Sequence, residues 1–146
     1  MPADTGPYIQ AALFCDMAIE GKDGTWSLIR VIDTVTHTTT GPDAPVEMPR
    51  FLCQLRAVIM LKSGKAQGRN TFKLVMEQPD TTRTEIGTGT VHFEGEHRGN
   101  NIVLNLNVAF EQEGPYWFDF YVEQDLMTRM PLRVLYNRTT SGSPAQ

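Results

Sequence analysis

Apolar and polar residues alternate with period two along most of this 146-residue chain, and that feature restricts it to β structure. Successive side chains of a strand point to opposite faces, so strict alternation marks one face for burial and one for exposure. The clearest case is NNIVLNLNVAFEQ, which sets Ile102, Leu104, Leu106, Val108 and Phe110 inward and Asn101, Asn105 and Asn107 outward. In GPYWFDFYVE the inward set is Tyr116, Phe118, Phe120 and Val122, leaving Trp117, Asp119, Tyr121 and Glu123 outside. YIQAALFCDMAIE aligns Ile9, Ala11, Leu13, Cys15, Met17 and Ile19, and RFLCQLRAVIMLK aligns Phe51, Cys53, Leu55, Ala57, Ile59 and Leu61. These two rows are expected to face the core.

The punctuation between the runs completes the outline. Asp23-Gly24 is a hairpin signal, and SGKAQG and PDTT read as turns. HTTTGPDAPVEMP (37–49) holds three prolines and reads as a long irregular connection. WSLIRVIDTVT is apolar on both parities and reads as one central or bulged strand. Gly87 and Gly89 sit two apart on an inward face, which predicts a bulge or room for a large ring from the opposing sheet. A last strand carries Leu132, Val134 and Tyr136; at most one helical turn fits, near 125–127. About eight strands follow, with an ordered core over 8–136 and a loose tail over 137–146. The expected fold is an all-β, single-domain (1–146), two-sheet antiparallel β-sandwich of immunoglobulin-like type, with a jelly roll or closed barrel as alternatives.

Composition narrows function by exclusion. A chain this long can bury about two-thirds of its unfolded surface without a metal or disulfide. The net charge of −4 disfavours a nucleic-acid partner. Arg129, Arg133 and Arg138 cluster, but Glu111, Glu113, Asp119 and Glu123 lie close in sequence. The first ten residues show no basic and then apolar leader, and no apolar run reaches membrane-spanning length. The expectation is a cytoplasmic protein with no membrane partner. Cys15 and Cys53 lack metal-site spacing and read as buried free thiols.

The candidate surface lies on the outer side of the aromatic strand. If 101–112 and 115–124 form a hairpin around EQEGP, Asn105, Asn107, Trp117, Asp119 and Tyr121 lie side by side. Such a face suits a subunit or partner protein; alternatively, rings ringed by amides and carboxylates suit a glycan or small ligand. HFEGEH brings His92, Glu94, Glu96 and His97 within six residues. It lacks the helical H-E-x-x-H spacing and reads as a polar strand end rather than a metal site. His37 receives no role, and no nucleophile elbow or phosphate loop is present.

AALFCDMAIEGKDGTWSLIRVIDTV resembles the opening hairpin of a family of small uncharacterised bacterial proteins, in which a Cys-Asp or Ala-Asp step runs into a charged hairpin. NVAFEQEGPYWFDFYVEQDLMTRMPLRV is similar to that family's closing part, where a Gly-x-Tyr corner precedes an aromatic strand and a Pro-Leu-x-Val strand. The resemblance implies a β-sandwich of bacterial origin and no known activity. From the residues, the chain is expected to be a non-enzymatic, cofactor-free structural or protein-interaction module that self-associates, with glycan or small-ligand binding as the alternative.

Overall fold

The computed structural model describes residues 5–96 and 98–140. Among them nine strands form and no helix: β1 (Tyr8–Glu20), β2 (Trp26–Ile32), β3 (Thr34–Thr40), β4 (Phe51–Lys62), β5 (Gln67–Glu77), β6 (Arg83–Glu94), β7 (Gly99–Phe110), β8 (Gly114–Val122) and β9 (Asp125–Thr139). A four-stranded sheet has the order β2-β1-β4-β7, and a five-stranded sheet the order β3-β9-β8-β5-β6. One apolar core, with Phe14, Ile59, Leu74, Phe110, Phe118 and Leu132 at its centre, draws on both sheets.

Local chemistry sets several of these boundaries. The β1–β2 turn is closed by Gly21 N–H donating to the Thr25 carbonyl at 2.7 Å, and Asp23 Oδ1 accepts from Thr25 N–H at 3.1 Å. Gly24 takes φ +84°, a conformation glycine reaches without steric cost. The turn before β8 is tied by Tyr116, fully buried, whose hydroxyl donates to the Gln112 carbonyl at 3.0 Å and accepts from its N–H at 3.2 Å.

Several expectations need correction. The ninth strand arises because WSLIRVIDTVT splits at Asp33, where the chain leaves one sheet for the other. Within β2, Trp26, Leu28 and Ile32 are half-buried while Ile29 and Val31 of the other parity are exposed, and Val35 packs on the core from the second sheet. Residues 37–40 belong to β3 rather than to a loop, and β3 runs parallel to β9, so the pairing is not wholly antiparallel. Asp125–Met127 begins β9 rather than a helical turn, and 137–139 extend that strand; beyond residue 140 the expected tail, 141–146, lies outside the described residues.

The β1 row is also reversed over most of its length. The register slips between Ile9 and Ala11, so Ala12 and Phe14 enter the core instead of the odd-numbered residues beyond the slip. Met17 and Ile19 are left outside. The two inward glycines do make room, though mainly for a ring of their own sheet. Gly89 pairs with Phe72, and a Cβ there would sit 2.7 Å from that ring; Gly87 faces Leu104 and Leu106 of the other sheet.

Candidate functional site

The expected hairpin between 101–112 and 115–124 does not form. β7 pairs with β4, whereas β8 pairs with β5 and β9, so the chain crosses between sheets at residues 111–113. Asn105 and Asn107 therefore lie on the outer face of the four-stranded sheet. Trp117, Asp119 and Tyr121 lie on the opposite side of the molecule. The alternation within each strand was read correctly; the neighbour was not.

On the five-stranded sheet, register builds a charged lattice. Val75, Asp119 and Arg129 form one cross-strand row, and Glu77 stands beside Arg83 and Trp117 in the next. Asp119 is only 2% exposed, and both of its oxygens are taken. Oδ2 accepts from Arg83 Nη1 at 2.9 Å and Oδ1 from Arg129 Nε at 2.7 Å. Glu77 completes the set, 2.7 Å from Arg83 and 3.5 Å from Arg129. The hydrogen bonds it donates to Asp119, then to Glu77, push the Arg83 guanidinium above its ordinary range; the bond donated to Asp119 does the same for Arg129.

The two rings are drawn into this lattice. The Arg129 guanidinium lies 4.7 Å over the Trp117 ring, and Arg83 donates to the Tyr121 hydroxyl at 2.8 Å. Lys73 stands 5.0 Å over the Tyr121 ring. Asp119 is thus an anchor under the surface, and Trp117 and Tyr121 are half-buried beside it. Glu77, Arg83 and Arg129 were missed as a group because three separate strands contribute them. Their outward parity was the one available signal.

The outer face of the four-stranded sheet is chemically different. Arg56 Nε donates to Asn105 Oδ1 at 2.8 Å, and its Nη1 donates to the Asp16 carbonyl at 2.7 Å. A shallow groove of about 470 Å³ runs here, lined by Asp16, Gln54, Arg56, Asn105 and Asn107, with Cys15 at its floor. Burial pushes the Cys15 thiol up, against a smaller opposing pull from Arg56. Cys15 and Cys53 are both free, the first buried and the second half-buried.

Beside the groove, β1 and β2 continue as a two-stranded hairpin past the last β1–β4 pair, Cys15 with Arg56. Cys15 pairs with Val31 and Met17 with Ile29, so these side chains share one face with Ile19. Met17, Ile19, Ile29 and Val31 are 48%, 44%, 46% and 58% exposed. Four aliphatic side chains gathered on one strip of surface is not the scattered exposure usual for a soluble domain. Sequence reading missed the strip because it assigned Met17 and Ile19 to the core.

His92, Glu94 and Glu96 are exposed, and Arg98 lies 3.9 Å from both glutamates. His97 falls outside the described residues. Among the described residues no group of three or more His, Cys, Asp or Glu side chains could hold a metal, and no helix is long and apolar enough to cross a membrane.

A family model described as a family of unknown function, DUF6941, matches residues 10–135. Among curated proteins none matches the chain. Solved structures resemble it in part. A β-glucosidase from Listeria innocua in complex with isofagomine shares 8% identity over 66% of this chain and 17% of its own, at a TM-score of 0.46. β-Glucosidase 3B from Thermotoga neapolitana, in complex with α-D-glucose, shares 11% over 88% and 16%, at 0.47. The alkylpurine DNA glycosylase AlkC of Pseudomonas fluorescens, bound to DNA containing an abasic site analog, shares 4% over 67% and 27%, at 0.44. The chain thus spans between a sixth and about a quarter of the length of these structures.

Proposed function

Because the chain belongs to the DUF6941 family, whose function is not established, we propose that it is a non-enzymatic protein-interaction module built on an immunoglobulin-like sandwich. The tyrosine corner at Tyr116 and Gln112 supports the immunoglobulin-like reading. The observation that carries the interaction reading is the aliphatic strip of Met17, Ile19, Ile29 and Val31 on the β1–β2 hairpin. Each of these side chains is already about half covered, so a partner's apolar surface that completes the burial gains roughly half of the 1.5–3 kcal/mol that full burial of such a side chain is worth.

The partner surface is the strip's face rather than the free edge of β2. At Arg30 the edge backbone turns to φ +57°, and its guanidinium is held by Asp16 at 2.6 Å. A charged, kinked edge resists strand addition. The glycan alternative would use Trp117, but Arg129 occupies one face of that indole and is held there by Asp119. A sugar stacking on that face has to displace an ion-paired cation first.

The test is a tagged full-length chain recovered from the organism that encodes it, beside a Met17→Glu/Ile29→Glu variant with the same melting temperature. Wild type is expected to bring down a protein in fixed proportion that the variant loses. Equal recovery by both removes the hairpin as the working surface.

A further inference from the structure

β1 is 13 residues long, and a straight strand would set Gln10 and Glu20 about 33 Å apart. Yet Gln10 lines the same cleft as Trp26, the partner of Glu20 across the β1–β2 hairpin. Met60, Lys62, Gly99 and Asn101 complete the walls from β4 and β7, at the end of the sheet where β1 begins. The hairpin therefore turns back across the outer face of its own sheet. It turns where β1 leaves β4: Arg30 takes φ +57°, and Arg56 Nη1 donates to the Asp16 carbonyl at 2.7 Å. Val58 agrees with this path. It lies on the outer face, between Leu13 and Val103 in register and outside the core cluster, and is nonetheless fully buried.

The cleft beneath the hairpin tip measures about 490 Å³, and its walls differ in character. Trp26 and Met60, both half-buried, supply the apolar side. Gln10, the extra residue in the β1 register slip, and Asn101 bring exposed amides. Lys62 is the one charged residue in the lining. It pairs in register with Gly99, and its ammonium lies where a side chain at that glycine would go: a Cβ there would come within 3.4 Å of Nζ. Among the described residues, the side chains of Gln10, Trp26, Lys62 and Asn101 have no hydrogen-bond or ion-pair partner. Glu20, opposite Trp26 in the hairpin, forms no ion pair with Lys62.

A cation with no counter-charge, set beside an indole and a thioether, suits one kind of occupant. We infer that this cleft binds a small amphipathic anion: an organic acid whose apolar body lies between the Trp26 ring and Met60 and whose carboxylate or sulfonate rests on the Lys62 ammonium. A neutral sugar would leave that charge unused, and a polyanion would meet a single cation. Alternation puts Trp26 on the face of the hairpin opposite Ile19 and Ile29, so the site depends neither on the aliphatic strip nor on the interaction reading.

Anilinonaphthalene sulfonate is the probe, beside phenylnaphthylamine, which has the same body without the charge. Both absorb where tryptophan emits, so either quenches an indole it lies against. The chain used carries Trp117→Phe, which leaves Trp26 as its one tryptophan. The sulfonate is expected to quench Trp26 with saturation at one equivalent, and the uncharged amine to bind about tenfold more weakly. Lys62→Gln, at an exposed position, should bring the sulfonate down to the amine's affinity and leave the amine unchanged. Gly99→Val, whose side chain pushes the ammonium aside, should do the same. Absence of saturable quenching, or equal sulfonate affinity in wild type and Lys62→Gln, overturns the proposal. Binding lost in Met17→Glu/Ile29→Glu but kept in Lys62→Gln places the probe on the aliphatic strip; that result overturns the cleft and leaves the interaction reading intact.

Discussion

At the scale of single residues, the buried polar groups carry the sharpest consequences. Asp119→Asn removes the charge between Arg83 and Arg129 and leaves Glu77 to balance two cations. Loss of one partner from a fully buried pair costs about 3–5 kcal/mol, but these arginines are 39% and 38% exposed and water recovers part of it. A loss of about 2 kcal/mol in urea unfolding is expected. Tyr116→Phe breaks the corner bond to Gln112 and should cost about 1 kcal/mol by the same measurement. Cys15 provides a pH signature. Burial raises the folded thiol above the ordinary 9.0, so the unfolded chain gives up its proton first. The thiol's contribution is whole below pH 9.0 and declines as pH rises past it; Cys15→Ala should flatten that decline in alkaline melts. Burial of Tyr116 and exposure of Trp117 relative to it were both legible from alternation alone. The ion lattice was not, because its members are distant in sequence.

At the scale of elements, β1 changes character halfway along. Before Phe14 it pairs with β4 alone, Phe14 and Cys15 pair with both neighbours, and beyond Cys15 it pairs with β2 alone. Amides of residues 16–19 and 27–31 should therefore exchange with deuterium well before those of β4 and β8, since a two-stranded ribbon is marginal without a covered face. The glycines of β6 show the opposite constraint. Gly89→Ala drives a methyl into the Phe72 ring, and a cost of about 1–3 kcal/mol is expected. The sequence marked β1 as a strand and 87–89 as a roomy face. It could not place the register slip after Ile9, which inverts the face of everything up to Glu20. A one-residue slip reverses a strand's orientation without altering its composition.

At the scale of the molecule, most stabilising contacts join strands far apart in the chain: β1 with β4, β4 with β7, β5 with β8 and β3 with β9. One shared core predicts a single cooperative unfolding transition by tryptophan fluorescence and circular dichroism alike. The non-local pairing predicts folding in milliseconds to seconds rather than microseconds. What the sequence determined by itself was local: β class, most of the strand positions, the Asp23-Gly24 turn and the inward side of β4, β7 and β8. Each follows from one residue's relation to the next, through pleat and turn chemistry. Which strand lies beside which was decided only by tertiary structure. EQEGP could have closed a hairpin, and the chain instead crosses to the other sheet there, parting Asn105 from Trp117. Adjacent alternating strands satisfy the same rule whether they share a sheet or face each other across a core, so only the packing of the whole chooses between them.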